Sequence, residues 1–309
     1  FKRGETFGGI DIEDVLEFMV DERVLKELNG KFHWMSDQFP AHNISLRSAS
    51  QENVVIIDLS ETANRRVIGE MDRFSAMTLL HEEAIYLHQG IQYQVEELDW
   101  EEKKAYVREV DVDYFTDANL AVQLQVLEED KEKASGFASY HYGDVAVHAM
   151  ATIFKKIKFE THDNIGSGPI HLPEVEIHTN AAWMTINEGL HDWAEDRIEQ
   201  GLIGASNAIQ SVAPLYAMCD PKDLHVVPKL KAEHNEQPTV FMYDHYAGGI
   251  GLAEHLYKNM SAVIDAAIDI IDDCPCENGC PSCTGTDVFA DHVKSDAKKV
   301  LRLFAGEQP

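Results

Sequence analysis

Four of the five cysteines in this 309-residue chain fall within one run of ten residues, Cys274-Pro275-Cys276-Glu277-Asn278-Gly279-Cys280-Pro281-Ser282-Cys283. Thiolates are soft ligands, and four in one short loop suit a tetrahedral zinc ion with Zn–S bonds of about 2.3 Å. Pro275 and Pro281 stiffen the turns of this C-x-C-x3-C-x2-C spacing, and Gly279 allows a sharp one. Four protein ligands leave no position for a substrate, so the site reads as structural and the expected cofactor is one zinc. The same donor set also serves iron–sulfur clusters, and disulfides or free thiols are further alternatives. Asp272-Asp273 directly precede the run, the unfavourable sign for a helix C-terminus, and are expected to cap or hydrogen-bond near the metal loop. Cys219 stands alone after an apolar stretch and reads as a core thiol.

The remaining chemistry-bearing residues form no catalytic constellation. Fifteen histidines are spread over the chain without an H-E-x-x-H motif, and His191 with Glu195 reads as a solvated helix face. No G-x-S-x-G and no G-x-x-x-x-G-K-[ST] occurs, so no ATPase or hydrolase activity is expected of these residues. Gly248-Gly249-Ile250-Gly251 follows an apolar strand and precedes a helix. Such a passage can present helix N-terminal amides to a phosphate, but glycines that simply permit close strand–helix packing explain it as well. Asp244 just before it is expected to cap the turn. For nucleic acid the candidates are Trp34, which could stack on a base, and Arg47, which could hold a phosphate. Packing of Trp34 on the first helix is the competing reading.

The elements that must position these residues fall into three stretches. Apolar positions from Val15 to Leu28 recur at helical spacing and predict a helix over residues 12–28. Asn29-Gly30 would end it, and an aromatic strand over residues 31–35 would follow, like the back half of a winged helix. From residue 44 the signals turn to strand. Residues 53–59 and 84–88 are strand candidates, and residues 93–96 and 105–110 flank an acidic turn at 99–102, a hairpin. A second β region runs over residues 120–185 with a breaker at 163–169. Acidic Glu96-Glu97 and Glu128-Glu129-Asp130 read as solvated hairpin ends. Helices are predicted over 187–199 and 205–218, then a strand over 239–244, one long helix after Gly251, and a final helix over 291–304. The expected fold class is α+β: a partial winged-helix module (1–43), a β-rich auxiliary domain (44–118) and a mixed α/β zinc-binding domain (119–309).

Composition narrows the partners. With 26 Lys+Arg against 54 Asp+Glu, the net charge of −28 opposes loose binding to nucleic acid or an anionic membrane. No run of about 18 apolar residues predicts a transmembrane helix, and no signal core precedes the first elements. Phe1 in place of an initiator Met points to a piece of a longer polypeptide.

Taken together, Cys219-Asp220-Pro221-Lys222-Asp223-Leu224, Phe241-Met242-Tyr243-Asp244, Gly248-Gly249-Ile250-Gly251-Leu252-Ala253-Glu254 and the cysteine run resemble the zinc-binding C-terminal domain of the mitomycin repair factor A helicases. Upstream, Ser45-Leu46-Arg47-Ser48-Ala49-Ser50, Ala84-Ile85-Tyr86-Leu87-His88-Gln89-Gly90 and Val110-Asp111-Val112-Asp113-Tyr114 are similar to the auxiliary region of the same family. The resemblance implies a bacterial, cytoplasmic, ATP-dependent 3′–5′ superfamily 2 DNA helicase of DNA repair, acting on single-stranded DNA. It implies metal ligation by Cys274, Cys276, Cys280 and Cys283. The motor domains of that family would be partners in cis, and this region would guide or clamp DNA beside them. A scaffold that recruits a repair partner, or an iron–sulfur redox domain, is the alternative.

Overall fold

Side-chain alternation and glycine placement account for most of the strand boundaries in the computed structural model, which describes residues 1–7, 10–35, 53–61, 65–285 and 291–307. The chain divides into two compact units, Phe1–Arg47 and Ser48–Pro309.

In the first unit, β1 (Thr6–Phe7) pairs with β2 (Ile10–Asp11), and α1 spans Glu13–Asp21. The helix is shorter than its apolar spacing predicts. Arg23 turns into the left-handed region at φ 58°, and Leu25–Leu28 then form β3 instead of a further helical turn. Asn29 and Gly30, both at positive φ, make the two-residue turn to β4 (Lys31–Trp34) and do not cap a helix. Arg3 ties the unit together through Glu13, Glu17 and Glu27.

The second unit contains two sheets. The first is built from β5 (Asn53–Asp58), β6 (Arg66–Asp72), β7 (Ile85–His88), β8 (Ile91–Asp99) and β9 (Lys104–Glu109), in the order β6-β5-β9-β8-β7. Only β5–β9 is parallel, and β8–β9 is the hairpin predicted around the acidic turn. The helix α2 (Arg73–Leu79) is capped by the Asp72 carboxylate, which accepts from Ser75 N at 2.9 Å.

The other sheet is organised by a long hairpin, β10 (Tyr114–Ser135) with β11 (Ala138–Lys158). Next come β12 (Asn164–Pro169), β13 (Val175–Ile186), β14 (Leu224–Lys229) and β15 (Thr239–Asp244), in the order β10-β11-β13-β15-β14 with β12 beside β11. The stretch that reads as a breaker is thus an edge strand. Its Gly168 lets the Phe154 ring lie where a Cβ would come within 2.6 Å, so the glycine serves packing and not chain reversal. Glu128, Glu129 and Asp130 lie within β10 and not at a hairpin end. The two sheets share a core in which Val54, Ile56 and Val107 meet Ala149, Ala151 and Phe154.

Helices cover the lower part of the second sheet: α3 (Glu195–Ala217), α4 (Leu252–Lys258), α5 (Met260–Asp273) and α6 (Val293–Phe304). Residues 187–194, predicted as helix, precede α3 as irregular chain, and one helix replaces the two predicted around Gly201 and Gly204. Those glycines are where α6 approaches most closely: a Cβ on Gly204 would sit 2.9 Å from that of Ala297. Conversely, the single long helix expected after Gly251 is two, broken at Asn259 (φ −108°, ψ 16°). The buried face of α6 carries Val300, Leu301, Leu303 and Phe304, all fully buried against α3 and α5. Each such side chain contributes roughly 1.5–3 kcal/mol of burial free energy, which fixes α6 beside the cysteine loop.

Candidate metal centre and its surroundings

The cysteine run leaves the end of α5 and returns toward the start of α6. Cys274 is the C-cap of α5 in extended conformation, and Gly279 (φ 120°) supplies the reversal that brings Cys280 and Cys283 back to it. A Cβ at Gly279 would sit 2.6 Å from Thr284 Oγ1, so the turn is closed to larger residues. The Sγ–Sγ separations are 3.6 Å for 274–276, 3.5 Å for 274–280, 3.5 Å for 276–283 and 3.7 Å for 280–283. Zn–S bonds of about 2.3 Å at tetrahedral angles require edges of about 3.8 Å, which these pairs nearly meet. They lie far beyond the S–S bond of about 2.05 Å, and all five cysteines are free thiols. An iron–sulfur cluster would spread its cysteines over separate irons, whereas here all four sulfur atoms lie within 4.8 Å of one another.

The electrostatics of the loop suit a cation. Hydrogen bonding from Cys274 and from the Ser282 and Cys283 backbone brings the Cys280 thiol down to about 6, while burial pushes Cys283, 1% exposed, up to about 12. A divalent ion that replaces the protons resolves this conflict by ionising all four together. Among the described residues, this is the one group of three or more His, Cys, Asp or Glu side chains arranged to hold a metal. The Asp272 carboxylate, expected to cap or hydrogen-bond near the loop, pairs with Lys298 of α6. Cys219, expected as a buried core thiol, is only partly buried, packing against the edge of the main core, and burial raises its thiol.

The Gly-Gly-Ile-Gly passage is occupied by a carboxyl group supplied by the chain itself. The fully buried Asp244 carboxylate accepts from Ile250 N (2.7 Å), Leu252 N (3.2 Å) and Ala253 N (2.7 Å). The α4 N-terminus is therefore filled by its own cap, and Gly248 (φ 80°) and Gly251 (φ 90°), with nothing within 4 Å of an added Cβ, serve the turn and not the close strand–helix packing expected of them. Gly249, at φ 69°, passes so close to Asn180 that a Cβ would lie 2.1 Å from its Oδ1. His191 is exposed and precedes α3, so it shares no helix face with Glu195.

A half-buried polar pair escaped the sequence reading. His225 Nε2 and His245 Nδ1 are 2.8 Å apart, one on β14 and the other just after β15. Burial, and then repulsion from His245, brings His225 down to about 4, and burial also lowers His245. The folded state therefore favours neutral His225, a contribution fully present above the unfolded value of about 6.5 and lost as pH falls through about 4. Unfolding free energy is expected to drop by about 3 kcal/mol from this group between pH 7 and pH 4. In urea titrations His225→Gln should flatten that slope; parallel slopes for variant and wild type would refute the assignment. Two residues twenty apart in sequence carry no local signal of this pairing.

For nucleic acid, Trp34 sits on β4 with 40% of its surface exposed, and Arg47 lies outside the described residues.

Fold and site define an α+β protein with a structural zinc. The model of the family described as MrfA Zn-binding domain matches residues 205–284. ATP-dependent helicase YprA of Bacillus subtilis is 60% identical over 303 residues, which cover 98% of this chain and 40% of YprA. ATP-dependent helicase HRQ1 of Saccharomyces cerevisiae is 22% identical over 96% of this chain and 30% of its own length. Among solved structures, that of DUF1998 helicase MrfA aligns with a TM-score of 0.68 at 52% identity, over 97% of this chain and 41% of that one. MrfA bound to DNA aligns with a TM-score of 0.60 at 58% identity, over 98% and 40%. Residues 205–284 thus match the MrfA Zn-binding domain, and the chain as a whole is similar to part of YprA and MrfA, spanning about 40% of the length of each. None of its described helices is long and apolar enough to cross a membrane.

Proposed function

We propose that this chain is the accessory, non-motor portion of an ATP-dependent 3′–5′ DNA-repair helicase, guiding single-stranded DNA beside motor domains that lie elsewhere in the polypeptide. Cys274, Cys276, Cys280 and Cys283 hold the zinc, and the ion fixes the C-terminal fold without taking part in chemistry. Residues 1–43, 44–118 and 119–309 serve as winged-helix, auxiliary and zinc-binding parts, and ATP hydrolysis belongs to the motors. The observation that carries this reading is the 60% identity to a helicase over 98% of the chain. A net charge of −28 assigns most of the DNA grip to the motors, with Trp34 and Arg47 as local contacts here. Titration with single-stranded DNA at low and moderate salt tests it, together with Trp34→Ala and Arg47→Ala in the full-length helicase. The expected result is weak, salt-sensitive binding by this region and reduced unwinding by the variants. No binding at low salt, combined with unchanged DNA affinity when the region is deleted from the helicase, would sink the guiding role.

A protein-docking role has one specific observation behind it. Every residue of β10 from Leu127 to Ala134 is exposed, and this stretch presents Glu128, Glu129, Asp130 and Glu132. Pull-down of a repair protein that is lost on charge reversal of this strand would favour that role.

A further inference from the structure

The cysteine loop is gripped from outside by a residue that is not one of its own. Lys294, in the first turn of α6, directs its ammonium onto two loop carbonyls, Cys274 O at 2.6 Å and Cys276 O at 2.8 Å. Its backbone N–H donates to a third, Asn278 O, at 3.0 Å. The three acceptors bracket the first pair of thiols and the turn that follows. One residue thus sets the path of the loop from Cys274 to Gly279.

The charges make this position unusual. Four thiolates around a divalent ion leave the centre with two net negative charges. Asp273 and Glu277 stand in the same stretch of sequence, adding to the negative charge there. Lys298 is committed to Asp272, so it neutralises that carboxylate and not the loop. Lys294 is partly buried and bonded to carbonyls of the ligand residues themselves, where screening by water is reduced. A lysine carries three donors on a flexible stem, and two of them are used here.

We propose that Lys294 is a positioning residue for the zinc: it offsets the charge of the four-thiolate centre and holds Cys274 and Cys276 convergent for the ion. This rests on the four-cysteine reading above. Partners of metal ligands in other sites change affinity about 10- to 100-fold when removed, which sets the expected effect.

The test is zinc affinity by chelator competition on the full chain, for Lys294→Met, Lys294→Arg and Lys299→Met. Met keeps the aliphatic stem and removes charge and donors. Lys299, on the same helix beside Trp193, controls for loss of a positive charge on α6. Lys294→Met should weaken zinc binding about 10- to 100-fold. Its cobalt-substituted form should keep a four-thiolate absorption spectrum, and Lys294→Arg should recover most of the affinity. Lys299→Met should stay within about twofold of wild type, well below that range. Should Lys294→Met not fold, Lys294→Gln, neutral but still a donor, is measured in its place and should also bind more weakly. Affinity unchanged in the neutral variant, or lost equally in Lys294→Arg and Lys299→Met, would overturn the proposal. Wild-type protein that binds no zinc would instead refute the four-cysteine reading, so the two failures are distinguishable.

Discussion

Cys283→Ser is expected to abolish the stoichiometric zinc and to lower the melting temperature of the second unit by about 10 °C. The substitution removes the one cysteine of the four that is fully buried, at 1% exposure, and leaves a hydroxyl that ligates zinc poorly. Structural zinc contributes an apparent 10–16 kcal/mol in small metal-folded domains, where the unfolded apo state is the alternative. Here the sheet and the α3–α6 interface bury a large apolar core of their own, so only part of that free energy is expected to fall on the global fold. A loss of about 4 kcal/mol is reasonable for a unit of this size, and at about 2–4 °C per kcal/mol it gives the stated shift. Calorimetry with and without a chelator reads the stability, and elemental analysis reads the metal. Cys219→Ser, outside the cluster, should keep one equivalent of zinc. Retention of both zinc and melting temperature in Cys283→Ser would remove the metal from its structural role.

Arg197→Met should lower the unfolding free energy, because it strands a fully buried carboxylate. Asp296 has no exposed surface and is held by Arg197 Nε at 2.9 Å and Nη2 at 2.5 Å, across the α3–α6 interface. Removing the cation leaves that carboxylate in the interior with the His292 imidazole 3.6 Å away. The converse change, Asp296→Leu, exposes no buried charge, since the Arg197 guanidinium is 41% exposed and packs over Trp193. A double-mutant cycle in urea should therefore show that Arg197→Met with Asp296→Leu is less harmful than Arg197→Met alone. Additive losses would mean that the pair contributes little. Since α6 also carries Lys294, the single variant should loosen the cysteine loop as well, visible as faster zinc loss to a chelator.

How much of this was legible in the residues depends on how local each feature is. The cysteine run lies in ten consecutive residues, so thiol chemistry and turn residues alone were enough to anticipate a metal and its closed coordination. The β-branched apolar run of β5 and the acidic turn between β8 and β9 are equally local, and both were read correctly. Asp244 was expected to cap, and its three backbone partners lie within nine residues. The misreadings arose where tertiary packing overrode a local signal. Gly201 and Gly204 look like helix breakers but lie inside α3, because α6 requires their missing side chains. The Gly-rich residues 164–169 look like a loop but add an edge strand to β11. The helical spacing of residues 12–28 was cut short where Arg23 and the Asn-Gly turn favoured a hairpin.

The sequence alone therefore determined the ligand chemistry of the cysteine loop, the broad α+β class and the acidic character that limits direct binding to DNA. Only the tertiary structure decided what surrounds and secures that loop. Lys294, the Arg197–Asp296 pair and the His225–His245 pair join residues between 18 and 99 positions apart. The physical reason is range: ligand type and turn propensity act within a few residues, whereas burial and charge pairing depend on which helices the folded core brings together.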